Sequence, residues 1–414
     1  MATRGQHLLS GDKRFATGGG LIARAIAPLF ARLVNQLDDR IRLGGIDGSI
    51  PDGTPRRVGF HAPGPVAIVD LHSWMALVRV ATSGSVGWYK AWERGEWSSP
   101  DPVRIAELFM ANALTLGDVA RAKGPARWLN ALAHRLRDNA PGKARDNIAA
   151  HYDLGNDFYA AWLDPSMTYS AARFVPGDTL EQAQQRKIAL LLDRLELKSG
   201  DRLLEIGCGW GALAIAAARR GANVVGLTLS QEQKDYADAR IAEAGLTDKI
   251  DIRLTDYRDI DERYDAIASV EMVEAVGARW WPAYLDSISL ALKPGGRAAL
   301  QYISIDHRLF DRYAASADFI QAYIFPGGML IDEPAFEALA KARGLSSEGR
   351  DGFGLDYAET LRQWRAAYDR AVADHRLAGF DERFHRLWRY YLMYCEGGFR
   401  GRGIDVAQVT MVKG

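Results

Sequence analysis

Apolar residues recur at three and four positions from Leu21 to Ile41 (Leu21, Ile22, Ala25, Ile26, Leu29, Leu33, Leu37), which predicts a helix with one buried face. Gly44 to Gly64 interrupts the pattern with Gly, Pro and Asp. Val66-Ala67-Ile68-Val69 and Ala76-Leu77-Val78-Arg79-Val80 then predict short strands. Helical spacing returns from Val103 to about Arg137 and stops at Asn139-Ala140-Pro141-Gly142-Lys143, a breaker read as an interdomain linker. The pattern predicts a smaller α+β N-terminal domain over 1–140 and a second domain over 144–414.

In the second domain an amphipathic segment, Leu180 to Leu197, leads into Asp201 to Ile206, a short apolar strand that ends in glycines. Helix Ala212 to Arg220, strand Asn223 to Leu227, helix Gln231 to Ala244 and strands Ile250 to Leu254 and Tyr264 to Val270 follow. Lys293-Pro294-Gly295-Gly296 turns into a strand from Arg297 to Ile303. This alternation predicts an α/β fold with a doubly wound, mostly parallel sheet. Asp306 to Glu359 reads as an insertion, and Thr360 to Gly397 as largely helical.

With 414 residues, 48% of them hydrophobic, the chain can bury the cores of two or three domains. Fifty-two Lys and Arg balance fifty-two Asp and Glu, so no global field draws it to nucleic acid or anionic lipid. The two cysteines, Cys208 and Cys395, make a poor disulfide framework and favour a reducing cytoplasm. Neither has a Cys or His at ligand spacing, so no metal is expected. Met1 to Phe15 lacks the apolar centre of a signal peptide, and no run of about 18 apolar residues marks a membrane span.

The candidate chemistry starts at Glu205-Ile206-Gly207-Cys208-Gly209-Trp210-Gly211. A glycine triplet after a strand serves a tight turn as readily as a ligand. Its context narrows the choice. The spacing differs from the G-x-G-x-x-G of dinucleotide enzymes, and the next strand ends in Gly226-Leu227-Thr228-Leu229-Ser230-Gln231-Glu232-Gln233, without the acid that would bind a ribose. Thr228 and Ser230 also suit the start of a helix.

The glycine turn resembles motif I of class I methyltransferases. Together with His151-Tyr152-Asp153-Leu154-Gly155-Asn156-Asp157-Phe158-Tyr159, Met167-Thr168-Tyr169-Ser170 and Gly84-Ser85-Val86-Gly87-Trp88-Tyr89, it resembles the cyclopropane-fatty-acyl-phospholipid synthase family, which includes the mycolic acid cyclopropane synthases. The resemblance runs over nearly the whole chain. It implies S-adenosylmethionine as cofactor, with Gly207, Gly209 and Gly211 against it. It also implies Thr228, Leu229 and Gln233 near the ribose, Asp256 and Tyr257 at the adenine, and Tyr169 and Ser170 at the methionine part, with His151 ordering the lid.

The implied substrate is a cis double bond in a phospholipid acyl chain. Such an alkene has no group to deprotonate beforehand, so catalysis must position it and shield the cation left by methyl transfer, a task suited to aromatic faces. Tyr302, Tyr313, Phe319, Tyr323, Phe325, Phe353 and Tyr357 are tunnel candidates as a group and core residues individually. A base must then remove a proton. In the family it is a bound bicarbonate, and the resemblance places Glu274, the backbone of Ile303 and Tyr357 around it. Two positions depart from the family pattern: Ala171 stands where a cysteine is common and Gln301 where a histidine is common. Glu271, where many relatives have glycine, offers a carboxylate of the chain itself as the alternative base, since two carboxylates in one dry pocket push a pKa upward.

Ring closure would give a cyclopropane, the first expectation, whereas a hydride shift before proton loss would give a methylene or methyl branch, as in furan-precursor lipids. An inactive lipid-binding protein is the rival of another class. The expected partner is the phospholipid bilayer, met at the inner face of the membrane by a cytoplasmic, peripheral protein. The basic and apolar stretch Arg121, Lys123, Arg127, Trp128 to Arg137, Lys143 and Arg145 reads as an interfacial helix or a solvated face. A homodimer is left open, and nucleic acid is not an expected partner.

Overall fold

The structure, a computed structural model, describes Arg4, residues 33–117 and residues 154–414. The linker at 139–143, the basic stretch from Arg121 to Arg145 and His151 lie outside the described residues. Two compact units emerge: Met1–Arg137 with Arg308–Pro326 and Ala378–Ile404, and Asp138–His307 with Gly327–Leu377 and Asp405–Gly414. The expected division into 1–140 and 144–414 therefore differs from the compact units, which draw two later segments into the first.

The first unit holds a four-stranded sheet of order β2-β1-β3-β4, built from β1 (Gly45–Ser49), β2 (Pro55–Gly59), β3 (Val66–Leu71) and β4 (Trp97–Ser98). On β3, Ala67, Val69 and Leu71 turn inward while Val66 and Ile68 stay exposed, the alternation of a strand with one buried face. The strand expected over 76–80 is instead the start of helix α1 (Met75–Glu93). Helical geometry breaks at Gly84 (φ 57°, ψ −136°). Before the break Val78 and Val80 are half-buried and only Ala76 is buried, and after it Gly87, Tyr89 and Ala91 turn inward, so helical spacing of the buried positions prevails over the β preference of Val78 and Val80.

Helix α2 (Pro102–Ala111) is capped by Asp101, whose side chain accepts from Val103 N–H. It explains why a late segment joins this unit. The last long helix, Glu382–Arg400, presents Gly397 where a Cβ would sit 2.5 Å from both Ala106 Cβ and Val103 O, so glycine permits a backbone approach that alanine would block. Tyr89, Phe319, Tyr323 and Tyr390 pack ring to ring in the same core, with centroids of Tyr89 and Phe319 4.9 Å apart.

The second unit is organised by a seven-stranded sheet of order β10-β11-β9-β8-β5-β6-β7. Its strands are β5 (Arg202–Ile206), β6 (Asn223–Thr228), β7 (Ile250–Leu254), β8 (Tyr264–Val270), β9 (Leu292–Ile305), β10 (Leu345–Gly352) and β11 (Ile404–Lys413). Strands β5 to β9 pair in parallel, and β10 runs antiparallel to β11. Helix α3 (Leu180–Asp193) opens on a capping box, Thr179 with Gln182, and buries Ile188, Leu191 and Leu192 against Leu203, Leu213 and Ala214. Helices α4 (Ala212–Arg219), α5 (Gln231–Glu243) and α6 (Trp281–Ala291) follow β5, β6 and β8 in the chain; Glu333–Lys341 and the long α7 (Gly354–Ala373) complete the unit.

The chain builds β6 and β7 on one side of β5, then returns to build β8 and β9 on the other. That reversal opens a crevice at the carboxyl ends of β5 and β8, the place where such sheets bind ligands.

Candidate active site

Gly207, Gly209 and Gly211 leave β5 with φ of 83°, 52° and 83°, all in the left-handed region that favours glycine. Backbone N–H groups of Gly207 and Cys208 bond to Leu227 O at 3.0 and 2.9 Å, tying the turn to β6. A Cβ on Gly207 would come within 2.9 Å of Met272 Cγ, and one on Gly211 within 3.2 Å of Ala237 Cβ. One on Gly209 would meet nothing within 4 Å among the described residues, so that glycine borders open space there. Two buried polar atoms, Glu205 Oε2 and the Tyr257 hydroxyl, have no hydrogen-bond partner among the described residues. Burial pushes the Glu205 carboxyl up to about 8, against the opposing pull of the Lys187 ammonium.

Thr228 and Gln233 are both buried and bond to each other, Thr228 Oγ1 donating to Gln233 Oε1 at 2.8 Å. Ser230 caps α5 by accepting from Gln233 N–H, so the capping role expected of this segment coexists with a polar pair at the end of β6. Leu229 lies half-buried between them. Asp256, the residue implied to meet the adenine, is already engaged: Arg258 Nε and Nη2 donate to its two oxygens at 2.8 and 2.6 Å. Tyr257 is buried, edge-on to Tyr284. The open space at Gly209, the unpartnered Glu205 and Tyr257 atoms and the Thr228–Gln233 pair fit a nucleoside with an amino-acid tail, as S-adenosylmethionine has.

Across the crevice, Glu271 follows β8 with φ of +48°, a left-handed backbone at a non-glycine residue. Its N–H bonds to Gln301 O at 2.7 Å. Its carboxylate receives three donors: Ala171 N–H and Gln301 Nε2 reach Oε1, each at 2.8 Å, and the Tyr357 hydroxyl reaches Oε2 at 2.8 Å. Burial raises the Glu271 carboxyl, while the Ala171 N–H, Gln301, Lys187 and Tyr357 all favour its ionised form. Glu274 accepts from the Ile303 N–H through Oε1, and its buried Oε2 has no partner among the described residues. Burial, and then the charge of Glu271, push Glu274 up to about 8.

The groups implied to surround bicarbonate thus come together, but the donors at Ala171, Gln301 and Tyr357 are bonded to Glu271. The residues present do not fit a free bicarbonate on those donors. Aromatic faces stand beside them: Tyr169 packs on Trp364 at 5.3 Å and on Trp162 at 5.6 Å, and Tyr357 meets Trp364 edge-on at 6.1 Å.

The aromatic tunnel candidates fall in both units. Tyr313, Phe319, Tyr323 and Phe325 belong to the first unit, and only Tyr302, Phe353 and Tyr357 to the second. Tyr302 packs on Phe336, and Phe353 lies under the Arg173 guanidinium, 4.8 Å from its ring centre. Among the described residues, no helix is long and apolar enough to cross a membrane, and no three His, Cys, Asp or Glu are grouped to hold a metal.

Residues 140–409 match the family model described as mycolic acid cyclopropane synthetase. The chain belongs to that family. It is 40% identical over 351 residues to a tuberculostearic acid methyltransferase of Mycobacterium tuberculosis, covering 81% of this chain and 80% of the relative. It is 35% identical over 355 residues to the cyclopropane-fatty-acyl-phospholipid synthase of Escherichia coli K12, covering 81% and 85%. Among solved structures, a mycolic acid cyclopropane synthase complexed with SAH and CTAB superposes with a TM-score of 0.61 at 34% identity, over 65% of this chain and 98% of that one. The protein is an S-adenosylmethionine-dependent methyltransferase of the lipid-modifying class, and its seven-stranded α/β sheet is the class I methyltransferase fold expected from the sequence.

Sequence reasoning missed Lys187, Gln184, Trp364 and Gln408. Lys187 is buried on α3, with Nζ donating to Ser170 Oγ at 2.8 Å. Gln184, one turn earlier, donates to Ser170 O at 2.8 Å, and Gln408 on β11 donates to Gln301 Oε1 at 3.1 Å. For Lys187 and Gln184 a signal existed: both share the face of α3 that carries Ala183, Ile188 and Leu191, where an apolar residue would be routine.

Proposed function

We propose that this methyltransferase places a methyl carbon on the cis double bond of an unsaturated phospholipid acyl chain, and that Glu271 accepts the proton that then leaves. Bound S-adenosylmethionine would supply an electrophilic methyl group, the electrons of the broken sulfur–methyl bond staying on sulfur as S-adenosylhomocysteine leaves. The alkene π electrons form the new carbon–carbon bond, leaving a positive charge on the neighbouring chain carbon. The rings of Tyr169 and Tyr357, packed on the fully buried Trp364, are the candidates to stabilise that charge and exclude water. A hydride shift from the methylated chain carbon to the cationic one places the charge beside the added carbon. Glu271 then takes a proton from that carbon, whose C–H electrons form the methylene double bond, whereas without the shift the same electrons close a cyclopropane ring.

The observation that carries this reading is the Glu271 carboxylate itself, fixed by three donors beside the crevice. A non-glycine residue with positive φ costs on the order of 1 kcal/mol. The charged side chain is also taken from water, so the position is maintained against both costs. A catalytic carboxylate accounts for that, and it replaces the bicarbonate of the resemblance with a group of the chain.

A methylene or methyl-branched product is favoured by the 40% identity to a tuberculostearic acid methyltransferase. Cyclopropane is the second reading, favoured by the 35% identity to a cyclopropane-fatty-acyl-phospholipid synthase. The proposed place of action is the inner face of the membrane, with the basic stretch from Arg121 to Arg145 as the proposed contact.

Mass and proton spectra of lipids from a host lacking its own cyclopropane synthase test the reading. A gain of one carbon with vinylidene signals is the expected result, a saturated methyl branch requiring a separate hydride donor, and upfield ring protons would select the second reading. Unmodified lipids, with cofactor bound but no S-adenosylhomocysteine released from unsaturated vesicles, would favour an inactive lipid binder.

A further inference from the structure

Lys187 is 1% exposed, and Ser170 Oγ is its one hydrogen-bond acceptor among the described residues. A buried ammonium with donors to spare is expensive unless charge compensates it. Three carboxyl groups act on its charge, Glu271 most strongly, then Asp164 and Glu205 on β5. Neither Gln301 on β9 nor Gln408 on β11 adds charge.

The hydrogen bonds around it close on themselves. Lys187 Nζ holds Ser170, and the next N–H, of Ala171, donates to Glu271 Oε1 at 2.8 Å. Gln301 donates to that same oxygen and accepts from Gln408 Nε2 at 3.1 Å, and Gln408 Nε2 also donates to the Lys187 carbonyl at 3.1 Å. One residue of α3 therefore touches both ends of the ring, through its ammonium and its carbonyl. The Gln408 bond also settles which way the Gln301 amide faces, leaving its NH2 toward Glu271.

We infer that Lys187 is a positioning residue for the transfer reaction: its buried ammonium is the counter-charge that keeps Glu271 ionised and, through Ser170, fixes the Thr168–Ala171 segment against it. This rests on the reading of Glu271 as base. Burial brings the Lys187 ammonium down to about 8, with Glu271 the leading influence in the opposite direction, as mutual stabilisation of two charges requires.

The test uses the full chain with S-adenosylmethionine and dioleoyl-phosphatidylglycerol vesicles, following S-adenosylhomocysteine release against pH for the wild type, Lys187→Met and Lys187→Gln. Removing the ammonium raises the proton affinity of Glu271, so the acid limb of kcat should move to higher pH by about one unit or more. Near neutrality kcat should fall about tenfold or more and recover as pH rises, with calorimetric S-adenosylmethionine affinity changed far less. A purely structural lysine would lower the unfolding temperature and reduce kcat equally at every pH. An unmoved acid limb in a folded variant, or loss of the fold in both variants, overturns the inference. Glu271→Gln, run alongside, separates the two claims: wild-type kcat there rejects Glu271 as base, whereas an inactive Glu271→Gln with unmoved Lys187 profiles rejects only the role of Lys187.

Discussion

The Tyr357 hydroxyl donates to Glu271 Oε2 at 2.8 Å, a bond from the first turn of α7 to the residue that ends β8's run toward the crevice. A donor to a carboxylate stabilises the anion and fixes its direction. Tyr357→Phe keeps the ring and removes the donor. A bond to a charged group contributes about 1.5–3 kcal/mol, so kcat should fall about ten- to hundredfold, with its acid limb moved to higher pH. Cofactor affinity should stay near wild type by calorimetry. A Tyr357→Phe enzyme with unaltered kcat and pH profile would show that this bond does not serve the reaction.

Glu271→Gly removes the proposed base and suits the local backbone, whose φ of +48° glycine adopts freely. Loss of general-base assistance should lower kcat by about 10²- to 10⁴-fold. The substitution also frees the Ala171 N–H, Gln301 Nε2 and Tyr357 hydroxyl that now bind the carboxylate. Added bicarbonate should therefore restore part of the activity of the variant while leaving the wild type unchanged. Stimulation of the wild type, with none in the variant, would sink the exchange of one carboxylate for the other.

The strands β5 to β8 were legible because buried parallel strands read as apolar runs closed by turns, and the left-handed glycines after β5 mark where the first one ends. Glu271, Glu274, Gln301 and Tyr357 were located by motif and do converge. What the motifs did not convey is who bonds to whom, since the capture of the Ala171, Gln301 and Tyr357 donors by Glu271 depends on a left-handed turn at a residue where sequence alone gives no φ. Strand β10 was invisible because it is mostly exposed and lacks an apolar signal. The Val78–Val80 stretch misled in the opposite direction, because the valines are half-buried in the helical stretch before Gly84 and their local β preference carries little weight there. Lys187 and Gln408 escaped because a polar residue on a buried face carries no motif; only its contacts reveal it.

Glu271 and Glu274 form a coupled pair whose pH response belongs to both. Burial raises both carboxyls, and the charge on Glu271 helps push Glu274 up to about 8. A base works deprotonated, so kcat should fall as pH is lowered through the raised pKa of Glu271. A second change in kcat is expected near pH 8, where Glu274 loses its proton and adds a negative charge to the pocket. Glu274→Gln should abolish that upper step and keep the lower one. An upper step that survives in Glu274→Gln belongs to another group, Glu205 and Lys187 being the other buried candidates near 8.

Gly209 and Gly207 separate the needs of the cofactor from those of the fold. Both have positive φ, so alanine at either carries a backbone cost on the order of 1 kcal/mol. At Gly207 the added methyl also meets Met272 Cγ at 2.9 Å, whereas at Gly209 it meets no protein atom within 4 Å. If the open space belongs to S-adenosylmethionine, Gly209→Ala should lower the unfolding temperature by only a few degrees, less than Gly207→Ala does, yet weaken cofactor binding by about tenfold or more. Calorimetry on the two variants gives both numbers. Wild-type affinity in Gly209→Ala would mean that the cofactor approaches the turn elsewhere, and the assignment of the space beside Gly209 would have to be withdrawn.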